Sequence, residues 1–235
     1  MTERNIQDYT GSAHDYDVKR YLSQVDSFID NIRKEKLSRQ IGTRIGLMLD
    51  VATGTGSGIF FSADRAKKVI GLDGTLAMLN EASKKISRAG LENVSLVQGN
   101  AMKLPFNDET FDTVISLNFL HLFTPVKRQE PFVQEMSRVV KTGGSLIVEI
   151  DNALECGILG LVRKYFGKDI GYNWPWDVFS LAKGMKLESI DGITLAGTKK
   201  LSAMNRGMAK AYSNLASVPP FIFLADRLII KYRKL

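Results

Sequence analysis

Cysteine is all but missing from this 235-residue chain: Cys156 is the only one, so an internal disulfide is excluded. Two histidines, His14 and His121, are too few to complete a Cys/His zinc cluster, and no metal site is expected. Long apolar runs are lacking too. The stretch 221–230 is interrupted by Asp226 and Arg227 and falls short of the ~20 residues that cross a bilayer, so no transmembrane segment is expected. The first residues, Met1-Thr2-Glu3-Arg4-Asn5, lead into polar sequence without the apolar centre of a signal peptide, which predicts a cytoplasmic protein. Repeats, low-complexity tracts and Pro/Ser/Gly-rich linkers are also absent, and a single domain over 1–235 is the simplest reading. What remains is an ordinary globular composition, 44% hydrophobic and 24% charged, which excludes a disordered or collagen-like chain.

The net charge of +7 is unevenly spread. Residues 1–150 carry 19 Lys and Arg against 18 Asp and Glu, whereas 151–235 carry 13 against 7. A basic final third suits phosphates, an acidic substrate or an anionic membrane surface, and equally a solvated lysine-rich face.

From Ser12 to Gln40, apolar residues at Val18, Leu22, Val25, Phe28, Ile29 and Ile32 follow the spacing of an amphipathic helix. A buried strand over 45–51 then ends in an acid and a glycine cluster. The pattern predicts a helix over 62–67, a strand over 68–73, a helix over 75–89 closed by Gly90, and strands over 93–98 and 111–117. A helix over 127–140 containing Pro131 turns through Gly143-Gly144 into a strand over 145–150. Strands alternating with helical stretches predict a doubly wound α/β fold with a mostly parallel sheet. Beyond Asp151 the rhythm changes. Residues 152–184 read as a helical excursion, 185–193 as a strand, 202–217 as one helix and 227–232 as a final strand, which places lid insertions after the fifth and sixth strands.

The strongest signal is Asp50-Val51-Ala52-Thr53-Gly54-Thr55-Gly56-Ser57-Gly58 directly after the first strand. Glycines there let the backbone turn tightly and approach a ligand where a Cβ would collide, although a plain turn uses glycine in the same way. The spacing is G-x-G-x-G. It is neither the dinucleotide G-x-G-x-x-G, because position 59 is isoleucine, nor a phosphate loop, because no Gly-Lys-Ser/Thr follows. Asp73 ends the second strand 19 residues past Gly54, where a carboxylate can accept bonds from both hydroxyls of a ribose or cap the helix starting near Thr75. Gly99-Asn100-Ala101 follows the third strand. An amide there both donates and accepts, which suits the edge of an adenine as well as an ordinary turn.

These motifs, with Gly71-Leu72-Asp73, Leu104-Pro105-Phe106, Thr110-Phe111-Asp112 and Arg138-Val139-Val140-Lys141-Thr142-Gly143-Gly144 in this order, resemble the class I S-adenosylmethionine-dependent methyltransferases over roughly 45–150. The first motif and the Leu-Pro-Phe segment are similar to the ubiquinone/menaquinone methyltransferase group. Two residues depart from the commoner pattern: Ala52 stands for a glycine and Asn100 for an aspartate. The resemblance implies a Rossmann-like methyltransferase fold of seven strands with helical lid insertions, and S-adenosyl-L-methionine as cofactor. It implies that Asp50 and the turn Ala52-Thr53-Gly54-Thr55-Gly56 meet the methionine end. Leu72, Asp73 and Gly74 would surround the ribose, Asn100, Ala101 and Met102 would lie at the adenine, and Leu117-Asn118 would face the reactive methyl. On this reading 1–40 is a helical lead-in or lid, 41–151 the donor-binding core and 152–235 the acceptor-side lid with the last strands.

A sulfonium methyl is already activated, so an enzyme of this kind mainly aligns the acceptor and excludes water. His121 is the candidate general base, with an ordinary value of about 6.5. Its surroundings, Phe119-Leu120-His121-Leu122-Phe123, suit a packed structural histidine equally well. Tyr16, Tyr21, Trp174 and Trp176 are candidates for the acceptor pocket, or else simple packing anchors, and Arg163, Lys164 and Lys168 suit an anionic group. The expected activity is methyl transfer to a small aromatic or lipophilic molecule. Two rivals stand beside it: an RNA methyltransferase using the basic final third, and a non-catalytic nucleotide-binding protein of the same fold.

Overall fold

The computed structural model describes residues 13–17, 24–123, 126–152, 181–195, 198–219 and 221–235. Its short apolar runs become strands β1 (Ile45–Val51), β2 (Ala66–Asp73), β3 (Val94–Gln98), β4 (Phe111–Ser116), β5 (Val140–Asp151), β6 (Met185–Gly192) and β7 (Arg227–Lys234). They form one seven-stranded sheet in the order β3-β2-β1-β4-β5-β7-β6. Neighbours from β3 to β5 are parallel, and β7 runs antiparallel between β5 and β6. Strand order therefore reverses between β1 and β4, and the loops leaving their carboxyl ends diverge around a crevice.

Helices α1 (Gln24–Gln40), α2 (Leu76–Arg88), α3 (Val126–Val139), α4 (Thr198–Met204) and α5 (Arg206–Asn214) accompany the sheet. Alternation within the strands builds two cores. Leu49, Val51, Val114, Leu146, Val148, Leu228 and Ile230 pack on one face with Val133, Met136 and Val139 of α3. Met48, Ile115, Ile147 and Ile229 pack on the other with Ile32 and Leu37 of α1 and Ala82 and Ile86 of α2. Polar staples add to α1. Buried Lys36 donates to the Gly192 carbonyl at 2.5 Å, the Ser213 carbonyl at 2.9 Å and Ser217 Oγ at 2.9 Å, and burial draws its ammonium below the ordinary lysine value against the pull of Asp191.

The doubly wound, mostly parallel α/β fold is as expected, and three local expectations are corrected. No helix forms over 62–67: a 3-10 turn, Ile59–Phe61, follows the glycines and β2 opens at Ala66. A stretch this short has little helical stability of its own, and Asn93 Nδ2 instead donates to the carbonyls of Ala63 and Ala66 at 2.7 and 2.9 Å. The helix expected over 202–217 breaks at Asn205. That residue is extended, with φ −152°, and its side chain accepts from Met208 N at 2.9 Å to cap α5. Gly143-Gly144 lies inside β5, which begins at Val140 and shifts register against β4 between Phe111 and Thr113. Tyr21, Arg163, Lys164, Lys168, Trp174 and Trp176 lie outside the described residues.

Candidate active site

Strand β1 is hemmed between β2 and β4, so after Val51 the chain has to turn at once. It does so through left-handed positions at Ala52 (φ 58°), Gly54 (φ 55°) and Gly56 (φ 88°). Glycine takes this conformation freely, whereas Ala52 adopts it with a Cβ at a cost of about 1–2 kcal/mol, which explains why glycine is the commoner residue there. Gly58 serves by size instead: a Cβ would run into the Asp50 carboxylate.

Asp50 is 2% exposed, and its Oδ2 accepts from Thr53 Oγ1 at 2.6 Å. Burial pushes its carboxyl up to about 7; the Thr53 hydrogen bond opposes that rise and the nearby Asp73 charge adds to it. The folded value lies above the ordinary 3.8, so the stability from this group is fully present below about pH 4 and is lost as pH rises through about 7. A cation beside Asp50 would favour the charged form.

Asp73 joins two loops. Its Oδ2 accepts from Gly54 N at 2.8 Å and its Oδ1 from Thr75 N at 2.9 Å, so the carboxylate closes the glycine turn and starts α2 together. Burial raises its carboxyl, and those backbone bonds oppose the rise. At the end of β3, Gly99 N donates to the Asp73 carbonyl at 3.0 Å. Asn100 Oδ1 accepts from Met102 N at 2.8 Å, so the amide oxygen holds its own turn. Around these strand ends three large apolar side chains stay exposed: Phe60 (40%), Leu76 (55%) and Met102 (44%). Such a surface suits a flat ring.

Strand β4 delivers buried Leu117 and then Asn118 in the left-handed conformation, φ 51°. Asn118 Oδ1 accepts from Arg227 Nη1 at 2.7 Å, and its Nδ2 is buried without a hydrogen-bond partner among the described residues. Arg227 also pairs with Glu149 at 3.2 Å and Asp151 at 3.0 Å, and Glu149 reaches Arg33 of α1 at 3.3 Å. A chain of charge, buried at Arg33 and Glu149 and half-buried at Arg227, thus runs from α1 across β5 and β7 to the end of β4. His121 falls in the 3-10 turn Leu120–Phe123, partly buried, next to the cluster of Phe119, Phe123 and Phe132 with ring centroids 4.4 to 5.1 Å apart. Residues 13–17 reach the glycine turn through Asp17, which accepts from Thr55 Oγ1 at 2.7 Å and from Lys85 Nζ at 2.6 Å, with half-buried Tyr16 beside it in the chain.

The structure therefore gathers Asp50, Ala52, Thr53, Gly54, Thr55, Gly56, Leu72, Asp73, Gly74, Asn100, Ala101, Met102, Leu117 and Asn118 along the carboxyl edge of four adjacent strands. Sequence reasoning missed Asp17, Glu149 and Arg227, which sit in ordinary contexts and acquire meaning only from distant partners; Gly58 is legible as the third glycine of the turn, and the structure adds the reason for it, the Asp50 carboxylate where a Cβ would stand.

A family model described as a methyltransferase domain matches residues 49–148. A phosphatidylethanolamine N-methyltransferase from Cereibacter sphaeroides is 31% identical over 162 residues, covering 67% of this chain and 78% of that protein. A demethylmenaquinone methyltransferase from Bacillus cereus is 34% identical over 154 residues, 59% of this chain and 64% of the relative. An S-adenosylmethionine-dependent methyltransferase from Thermotoga maritima shares the fold, with a TM-score of 0.64 at 20% identity over 97% of this chain and 98% of its own. With most of one relative's length matched at 31% identity, and the glycine turn seated at the switch point of a sheet in this order, the chain belongs to the class I S-adenosylmethionine-dependent methyltransferases, enzymes whose methyl donor is S-adenosyl-L-methionine.

Proposed function

We propose that this methyltransferase acts on a small lipophilic acceptor, a quinol or an amine-headed lipid. The observation that supports this is the relatives' own names: phosphatidylethanolamine and demethylmenaquinone are both lipids. The basic final third is the feature that favours RNA, and much of its charge is already paired with carboxylates. Arg227 is paired with Glu149 and Asp151, Lys231 and Arg233 with Glu188, and Lys210 with Glu35. Cations held this way offer little to a phosphate backbone.

The residues present fit the donor, which supplies a methyl group on an activated sulfonium when bound. Asp50 and the backbone of residues 52–56 would hold the amino-acid end, the buried carboxyl becoming charged as an ammonium approaches. Asp73 keeps a second lone pair on each oxygen for the ribose hydroxyls, between Leu72 and Gly74. Ala101, Met102 and the Asn100 amide would border the adenine. Asn118 offers its unpartnered Nδ2 where the methyl is transferred. His121, three residues further on, would accept a proton from the acceptor. Tyr16 beside the glycine turn, with Tyr21, Trp174 and Trp176, would wall the acceptor and exclude water.

The test is transfer of a radiolabelled methyl group to quinols, phosphatidylethanolamine, phenols, small amines and bulk tRNA at two salt concentrations. Label in a quinol or lipid amine, indifferent to salt, is expected. Strong, salt-sensitive labelling of tRNA alone would overturn the lipophilic reading.

A further inference from the structure

The connection between β6 and β7 leaves and rejoins the sheet at its carboxyl edge, because Gly192 pairs with Leu228 and Arg227 with Asp151 at the end of β5. It therefore shares that edge with the glycine turn and with Asn118, which Arg227 contacts. Its helical part buries small residues, Ala209, Ser213 and Ala216, and turns large apolar ones outward. Met204 is 79% exposed, Met208 60%, Leu215 40%, Val218 48%, Phe221 41% and Leu224 49%. Met208 and Leu215, seven positions apart, share one side of the helical run. Val218 N donates to the Leu215 carbonyl at 3.0 Å and Ile222 N to that of Val218 at 3.1 Å, so the next turns follow directly. Phe221 and Leu224 are eclipsed in a 3-10 turn. Six of the ten large apolar residues exposed among the described ones thus fall within 204–224. Scattered exposed apolar residues are ordinary, whereas a cluster on one short segment marks an interaction surface.

Charge selects the occupant. From 192 to 225 the sequence holds no Asp or Glu and four cations, Lys199, Lys200, Arg206 and Lys210. Lys210 pairs with Glu35 at 3.0 Å and Arg206 bonds to the neutral Gln24, so the strip remains positive beside its apolar face. An apolar segment that carries cations and no acid of its own matches the interface of an anionic bilayer, where such a segment lies in the membrane plane. RNA would take the charge and leave the methionines and phenylalanine in water. Among the described residues no helix is long and apolar enough to cross a membrane.

We propose that residues 198–224 seat this enzyme on an anionic lipid surface, with the donor-binding edge of the sheet turned toward the bilayer. A lipophilic acceptor is then reached without leaving the membrane. The inference deepens the lipid-acceptor reading and rests on it only for what the surface delivers; the docking is measured without turnover.

The experiment floats the full-length protein with vesicles of phosphatidylcholine alone and of phosphatidylcholine mixed with phosphatidylglycerol. Flotation with the anionic vesicles only, weakening as salt rises, is expected. Met208→Glu with Phe221→Glu is expected to lower binding about tenfold or more, and Lys200→Glu with Arg206→Gln to lower it partly. A thermal shift with S-adenosylhomocysteine verifies that each variant is folded with its donor site intact, and Met204→Glu replaces the pair if that check fails. Undiminished flotation of the charged variant, or no flotation of the parent protein, overturns the proposal. So does a dimer in sedimentation velocity that the same variant dissociates, since a second copy then covers the patch. Lipid labelling in detergent without vesicle binding would remove this inference and keep the acceptor reading, and vesicle binding without any labelled lipid would do the reverse.

Discussion

The two halves of the sheet are assembled by different means. From β3 to β4 the donor edge is tied by neighbouring backbone: Asp73 to Gly54 and Thr75, and Gly99 to Asp73. From β5 to β6 the ties are buried charges reaching far along the chain: Lys36 to Gly192, Arg33 to Glu149 and Arg227 to Asn118, separated by 156, 116 and 109 positions. One half is a set of turns that organises itself around strand ends. The other is a set of desolvated ions that holds only while every partner is present. Donor binding and the integrity of the β5–β6 half are therefore expected to separate, and three measurements press on that separation.

The largest effect belongs to Glu149, which lies between two guanidiniums at 2% exposure. Glu149→Ala leaves Arg33 and Arg227 without it and is expected to lower unfolding stability by about 3–5 kcal/mol in urea titrations, with S-adenosylhomocysteine affinity near that of the parent. Lost affinity at unchanged stability would show that the halves act as one. Asp73→Ala reverses the pattern. Calorimetry is expected to show donor binding weakened by about 2–3 kcal/mol, since hydrogen bonds to a charged group are removed, while the fold persists. Loss of folding with no separate binding defect would reduce Asp73 to a helix cap. The smallest effect is a pH profile. Burial pushes free Asp50 up to about 7, and an ammonium held there as proposed needs it charged, so binding would release a proton at acid pH. Affinity for S-adenosylhomocysteine is expected to rise by up to about tenfold per pH unit below 7, about 1.4 kcal/mol, and to level off above it. Asp50→Asn should flatten the curve, and a flat profile in the parent protein would separate Asp50 from the ammonium.

The same contrast decides what the sequence made legible. Asp50, Gly54, Gly56 and Asp73 were readable because a strand end, a turn and the next strand end are local patterns with known backbone demands. The strands were readable because apolar runs of β-branched residues have few other uses. Arg227 was not, since a lone arginine before an apolar strand looks the same whether it faces water or reaches Asn118. The helix over 62–67 was misread because propensity there was judged without Asn93, which claims the carbonyls of Ala63 and Ala66 from the far side of α2. Asn205 carried a usable signal, an N-capping residue inside an apparent helix, but only the geometry shows that it starts a new one.

The position of β7 also sets an order of events during synthesis. It is the last strand of the seven to leave the ribosome, yet it belongs between the fifth and the sixth. Until residues 227–234 emerge, the edge of β5 has no partner on that side and β6 has nowhere to dock, because Asp151 waits for Arg227 and Met185 for Lys234. Two bare strand edges are thus presented to solvent or to other chains while the intervening segment, with its outward methionines, is already made. The antiparallel insertion that completes the sheet is also the interval in which the nascent protein most needs shielding.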